Sequence, residues 1–315
     1  MQVVVLAGGQ GTRLRPWTLT RPKSGLMLLD RPLLAHVLDL LPTDAITSVL
    51  VAAGYLVDDL RAILDEHQLP WPVMVIEEEE PLGTGGALHN LLDHLEDRFI
   101  CLNGDVLCGF DGRRIFEAGR EHAQAEDILA VREVEDTQRF GIIEFESDGA
   151  TVAAFKEKPE PHETASRWAS AGCYMLTRTA IERLPEGVSS LERDLFPRLA
   201  EEEQAFGVQV KGEFVDAGTP GSWIEAVALA IQRRGDHENG SDGVWIHPDA
   251  VVDLGAVLTG SAIGAGAHVA QGAVLIDCDI QAGASIESKC RLERCLIGPG
   301  VIVGEGTHLD GAVLA

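Results

Sequence analysis

The chain has 315 residues, 45% of them hydrophobic, with a formal net charge of −25 and a pI near 4.6. That length suits one large domain plus a smaller one, and the apolar share supports packed cores rather than a disordered chain. The acidity excludes binding of nucleic acid through an overall positive field, and no apolar run reaches the about 18 residues of a membrane span. Met1-Gln2 leads straight into Val3-Val4-Val5-Leu6 with no signal peptide before it. None of the six cysteines forms a Cys-x-x-Cys pair, which suggests neither zinc nor a thioredoxin-like site, and a reduced cytoplasm is the expected location.

In chain order, Val3 to Ala7 reads as a buried strand that ends in the tight loop Gly8-Gly9-Gln10-Gly11. A helix over Leu33 to Leu41, a strand over Ser48 to Ala53, a helix over Asp58 to His67 and a strand over Val73 to Ile76 follow. Next come a helix over Gly86 to Leu95 and a strand over Phe99 to Leu102. This alternation predicts a mostly parallel, Rossmann-like sheet with helices on both faces. From Ile128 the pattern turns to hairpin-like strands, including Gly141 to Phe145 and Val152 to Phe155, and Ser222 to Arg233 reads as a long amphipathic helix. The polar, glycine-rich stretch Gly235 to Gly243 reads as a linker.

Beyond it, branched or bulky apolar residues recur every six positions: Trp245, Val251, Val257, Ile263 and Val269, then after a one-residue slip Val274, Ile280, Ile286 and Leu292, then after a second slip Ile297, Val303 and Leu309. Small residues follow four positions later, as at Ala267, Ala273, Ala284 and Cys290. A hexapeptide period predicts a left-handed parallel β-helix whose branched residues point inward. The expected organisation is therefore a catalytic domain over 1–235 and a repeat domain over 244–315.

The first loop, Leu6-Ala7-Gly8-Gly9-Gln10-Gly11-Thr12-Arg13-Leu14-Arg15-Pro16, continues to Arg21-Pro22-Lys23. No acidic residue precedes Asp30, yet Arg13, Arg15, Arg21 and Lys23 all do. Glycines that let backbone N–H groups approach closely, beside concentrated positive charge, suit a polyphosphate. Neither the P-loop nor the dinucleotide spacing is present. Five more segments stand out: Glu78 to Ala87, with Pro81-Leu82-Gly83-Thr84; Asn103-Gly104-Asp105 after an apolar strand; Gly141 with Glu157-Lys158-Pro159; Ala171-Gly172-Cys173-Tyr174; and Val215-Asp216-Ala217-Gly218. A carboxylate beside glycine at a strand end suits a hard cation that bridges phosphates.

Together these six segments, in this order, resemble the sugar-1-phosphate nucleotidyltransferases over about the first 235 residues. The chain departs from that family after Lys23, where Ser24-Gly25-Leu26 replaces the usual proline and apolar run. The resemblance implies transfer of a nucleotidyl group from a nucleoside triphosphate to a sugar 1-phosphate, with release of pyrophosphate. It places Arg13, Lys23, Asp105 and Asp216 in catalysis, with both aspartates holding Mg2+. Substrate contacts are expected from Leu6, Ala7, Gly8, Gly9, Gly11, Thr12, Glu78, Gly83, Thr84, Gly104, Gly141, Glu157, Lys158 and Gly172. Glu78 can accept two hydrogen bonds from the guanine edge, and the glutamate run before Pro81 resembles mannose-1-phosphate guanylyltransferases, which favours GTP and mannose 1-phosphate. Glucose-1-phosphate thymidylyl- or uridylyltransferase activity, and a non-catalytic subunit that binds a nucleotide sugar, are the alternatives. Acyltransfer from the repeat tail, with His268 or His308 as base, is a further possibility. The expected partners are the two substrates and, through the β-helix, further copies of the chain; nucleic acid and membrane are not expected.

Overall fold

The computed structural model describes residues 1–234 and 243–315. The expected linker lies outside the described residues as far as Asp242. By packing, the chain divides into two units, one of Met1–Gly9, Val37–Val57 and Gln68–Phe214, the other of Gln10–His36, Asp58–His67 and Val215–Ala315.

The first unit is built on a nine-stranded sheet. Its strands are β1 (Gln2–Leu6), β2 (Ser48–Ala53), β3 (Val73–Glu77), β4 (Arg98–Asn103), β5 (Asp127–Glu133), β6 (Gly141–Phe145), β7 (Val152–Glu157), β8 (Trp168–Thr177) and β9 (Ala205–Gln209). They run in the order β7-β6-β8-β4-β1-β2-β3, and β5 pairs with both β8 and β9. The four strands β4, β1, β2 and β3 are mutually parallel, while β8 runs antiparallel to β4, β5 and β6. Val3, Val4 and Val5 are wholly buried, as a central parallel strand covered on both faces requires. The core continues through Phe99, Cys101, Leu129, Tyr174 and Phe196.

Register aligns the carboxyl ends of the parallel strands. Leu6 stands opposite both Ala52 and Asn103, and Ala53 opposite Glu77. The loops that carry Gly8, Gly54, Glu78 and Asp105 therefore leave one edge of the sheet together. In open α/β sheets that edge is where ligands bind.

Two expected helices differ in extent. The first ends at Leu38 rather than Leu41. The expected Gly86–Leu95 helix begins instead at Gly83 and ends at Asn90, followed by a 3₁₀ turn at Leu92–His94. Three glycines in its first turn oppose helix formation. The Ser189 carbonyl supplies the missing restraint, because it accepts the N–H groups of Gly85 (3.0 Å) and Gly86 (3.2 Å).

The second unit contains three short 3₁₀ turns, Thr12–Leu14, Trp17–Leu19 and Lys23–Gly25, the Pro220–Arg234 helix and a three-sided parallel β-helix. The helix starts cleanly, with Pro220 in its first turn and Thr219 and Ser222 exchanging hydrogen bonds across it. The β-helix has sheets of five, four and four strands. Ile246, Ile263, Ile280, Ile297 and Leu314 stack directly, so each coil spans 17 residues.

Seventeen is one short of three hexads, and this corrects the expected register. One corner per coil is shortened and turned by a left-handed residue, at Gly260, Asp277, Arg294 and Gly311. The slip expected before Ile297 coincides with the corner at Arg294, whereas the slip expected before Val274 precedes the corner at Asp277 and none is expected at Gly260, so part of the expected register is displaced by one. Val251 and Val257, expected inside, are 56% and 54% exposed, and their neighbours Val252 and Leu258 pack on the core instead. Val274 likewise gives way to the buried Leu275. Ile263, Val269, Ile280, Ile286, Leu292, Ile297 and Val303 point inward as expected, as do the small residues Ala267, Ala273, Ala284 and Cys290.

Candidate active site

In the sheet unit, Glu78 follows β3 and lies almost wholly buried. Its Oε2 accepts the Leu82 N–H at 3.4 Å, and burial pushes its carboxyl above the ordinary range. Gly8, just after β1, packs on this carboxylate so tightly that a Cβ there would come within 2.9 Å of Oε1. The signature glycine and the expected base-reading glutamate are thus neighbours. Thr84, an expected substrate contact on the same segment, has its hydroxyl committed: it donates to Glu192 (2.6 Å) and accepts the Leu191 N–H (2.9 Å). Ser189 and Glu192 brace the Gly83–Gly86 turn, and no motif marks either; Ser189 precedes, and Glu192 lies in, the short helical turn Leu191–Leu195.

Gly104 donates its N–H to the Leu6 carbonyl at 2.9 Å, which ties the Asn103-Gly104-Asp105 turn to the end of β1. A Cβ on Gly104 would stand 2.7 Å from that oxygen, so no side chain fits. Asp105 is half-buried. Gly172 has a left-handed φ of 67° and packs on the Asn103 amide. On the β6–β7 hairpin, Lys158 Nζ lies 3.1 Å from Glu157 Oε1, and a Cβ on Gly141 would reach 3.1 Å from Glu157 Oε2. Gly141, Glu157 and Lys158 therefore form one cluster, with Lys158 well exposed and Glu157 mostly covered.

In the repeat unit, three expected residues come together. The Lys23 side chain is only 9% exposed, and its Nζ lies 3.9 Å from Asp216 Oδ1. That oxygen is buried and has no hydrogen-bond partner. Gly218, which folds back to donate its N–H to the Asp216 carbonyl at 2.8 Å, leaves room for the Arg13 guanidinium. A Cβ on Gly218 would come within 2.6 Å of the Arg13 Nη2 and 2.8 Å of Asp216 Oδ1. Gly11, at φ 60°, lets the loop turn and packs on the stem of Lys23 and on Thr18. The exposed Thr12 and Arg13 lie on the turn that follows.

Among the described residues, no three or more His, Cys, Asp or Glu side chains are grouped to hold a metal ion. A buried carboxylate oxygen without a donor, beside a lysine and an arginine, nevertheless suits a hard cation whose other ligands come from phosphate. In the β-helix, His268 Nε2 lies 3.4 Å from Asp253 Oδ2, and His308 is exposed. All six cysteines are buried thiols. No helix among the described residues is long and apolar enough to cross a membrane.

Comparison with known proteins identifies the family. The profile of the nucleotidyl transferase family matches residues 2–233. The Mycobacterium tuberculosis mannose-1-phosphate guanylyltransferase is 33% identical over an alignment that covers 100% of this chain and 79% of that protein. The Xenopus tropicalis mannose-1-phosphate guanylyltransferase catalytic subunit beta is 30% identical over 78% of this chain and 68% of its own length. Among solved structures, HddC from Yersinia pseudotuberculosis complexed with GMP-PN superposes with a TM-score of 0.60 at 27% identity, over 73% of this chain and 99% of that one. The chain belongs to the nucleotidyl transferase family.

Proposed function

We propose that the protein transfers a guanylyl group from GTP to mannose 1-phosphate, forming the nucleotide sugar and releasing pyrophosphate. The guanylyltransferase names of its relatives and the GMP-PN bound to HddC support that choice of substrates. The observation that carries the reading is the Arg13–Lys23–Asp216 cluster, with its orphaned carboxylate oxygen.

A sugar-phosphate oxygen attacks the α-phosphorus in line. A new P–O bond forms as the bond to the pyrophosphate oxygen breaks, and the electron pair leaves with pyrophosphate. Such a transfer needs positioning and charge neutralisation more than covalent help. Lys23 meets the charge that develops on the α-phosphate, and Arg13 holds the leaving pyrophosphate. The backbone of Leu6, Ala7, Gly8, Gly9, Gly11 and Thr12 lets the triphosphate approach closely. Glu78 reads the base, with Gly83 and Thr84 shaping that wall. Lys158 anchors the sugar phosphate, Glu157 a sugar hydroxyl, and Gly104, Gly141 and Gly172 keep space open. Asp105 and Asp216 would hold Mg2+, which when bound neutralises phosphate oxygens.

The proposed covalent organisation is a catalytic domain over 1–235 and a repeat domain over 244–315, in a cytoplasmic protein that assembles through the β-helix. The outward apolar side chains Val251, Leu254, Val257 and Ile302 support that assembly. A pyrophosphate-release matrix of nucleoside triphosphates against sugar 1-phosphates, with and without magnesium, tests the function. The expected result is the highest kcat/KM for GTP with mannose 1-phosphate, abolished by chelation. A pyrimidine optimum would favour thymidylyl- or uridylyltransfer, and nucleotide-sugar binding without turnover would favour a regulatory subunit.

A further inference from the structure

We propose that the β-helix acts as a positioning element for the cationic loop, gripping it through Gln281 and through the Leu314 carbonyl that holds Trp17; the inference rests on the assignment of Arg13 and Lys23 to phosphate handling. Gln281 Nε2 donates to the Met27 carbonyl at 3.0 Å, across 254 residues of sequence. The same amide donates to Asp279 Oδ2 at 2.9 Å. Asp279 Oδ2 also accepts the Trp223 indole N–H at 2.7 Å, from the helix that begins four residues after Asp216. One buried carboxylate on the β-helix, with the Gln281 amide, therefore joins the Met27 backbone to the Pro220–Arg234 helix. At the other end of the loop, the Trp17 indole N–H donates to the Leu314 carbonyl at 2.7 Å, and its ring meets Trp223 edge-on with centroids 6.0 Å apart.

These contacts fix the loop at Trp17 and Met27, on either side of Lys23 and just after Arg13. Arg13 lies four residues before Trp17, and Lys23 four residues before Met27. Packing alone does not fix Met27, because a cavity of about 330 Å3 opens beside it, lined by Trp17, Arg21, Leu26, Met27, Gln281 and Pro299. The β-helix repeat does not demand these residues either. In the coils stacked on Asp279 the same position holds Trp245, Ala262, Leu296 and Val313, none of them charged. The positions one coil before and after Gln281 hold Gly264 and Gly298. A single rung thus replaces apolar or small residues with a buried acid bonded to the Trp223 helix and an amide bonded to the loop. Burying such groups is unfavourable unless every donor and acceptor is matched.

The test measures steady-state nucleotidyl transfer by the full-length protein and its Gln281→Leu, Trp17→Phe and Lys23→Ala variants. Gln281→Leu should lower kcat about tenfold or more, with KM for both substrates within about threefold, because small misplacements of transition-state groups act on the chemical step. Trp17→Phe removes the indole donor with part of the ring packed on Trp223, and should lower kcat by a smaller factor with the same KM pattern. It decides the matter if Gln281→Leu does not fold. Wild-type kcat in both, or a loss confined to KM, overturns the proposal provided Lys23→Ala loses at least about a hundredfold. An unimpaired Lys23→Ala would instead overturn the phosphate assignment, and the inference with it.

Discussion

Replacing Asp279 by asparagine should stabilise the protein above neutral pH and leave it little changed in acid. The carboxyl is wholly buried, and desolvation pushes it up to about 7 even though the Trp223 and Gln281 hydrogen bonds favour its charged form. In the unfolded chain it returns to about 3.9. Between those values the folded protein holds a proton that the unfolded chain has released, so stability falls as pH rises and levels off above the folded value. Three units at about 1.36 kcal/mol each give a ceiling near 4 kcal/mol lost between about pH 4 and pH 7. Asparagine does not titrate, and its carbonyl can accept both the Trp223 and Gln281 donors. Thermal unfolding of both proteins at pH 5 and pH 8.5 measures the difference. Tm of the variant should exceed wild type by several degrees at pH 8.5, at about 2–4 °C per kcal/mol, and the gap should close or reverse at pH 5. A gap of equal size at both pH values would refute the assignment of a buried, proton-holding carboxyl.

Asp127 is wholly buried, neither of its carboxylate oxygens has a hydrogen-bond partner, and burial raises its pKa well above the usual carboxylate range. Asp127→Leu should therefore stabilise the sheet unit by about 1 kcal/mol or more at neutral pH, read as a rise in denaturation midpoint. Ile286 is fully enclosed in the β-helix, whereas Val257 is half exposed. Ile286→Ala should cost about 2–5 kcal/mol by chemical denaturation, and Val257→Ala under about 0.5. Glu78→Gln should narrow the GTP-over-UTP ratio in kcat/KM about tenfold or more, the scale of one or two lost hydrogen bonds to the base. Unchanged discrimination would place base reading elsewhere.

Much of this was legible in the sequence, where local rules decide. The alternation of short β-branched runs with helices located β1 to β4, and the loops carrying Gly8, Glu78 and Asp105 follow from their ends. Coil stacking was legible as a period and, from Ile263 on, largely in register, but not at Val251, Val257 and Val274. The period of six is local, while the shortened corner at Gly260, Asp277, Arg294 and Gly311 is set by closing a 17-residue coil. Asp277 and Arg294 adopt the left-handed conformation without being glycine; aspartate visits that region more readily than most residues, but nothing in the identity of Arg294 marks the corner. The early start of the Gly83–Asn90 helix was hidden because Ser189, a hundred residues away, imposes it. Trp17, Asp279 and Gln281 were missed for the same reason: their partners lie 297, 56 and 254 residues away. The Lys23–Asp216 pair was reached only through the family resemblance, since no spacing rule links residues so far apart.

The most direct test of the account is phosphorus NMR of GTP and mannose 1-phosphate incubated with magnesium and either the wild-type protein or Asp216→Ala. The wild type should convert the two substrates into a nucleotide sugar and pyrophosphate in equal amounts, and the variant should fold normally yet form neither at a rate above about a hundredth of wild type. Product formation by Asp216→Ala at near wild-type rate, or no product from the wild type with any nucleoside triphosphate and sugar 1-phosphate pair, would contradict it.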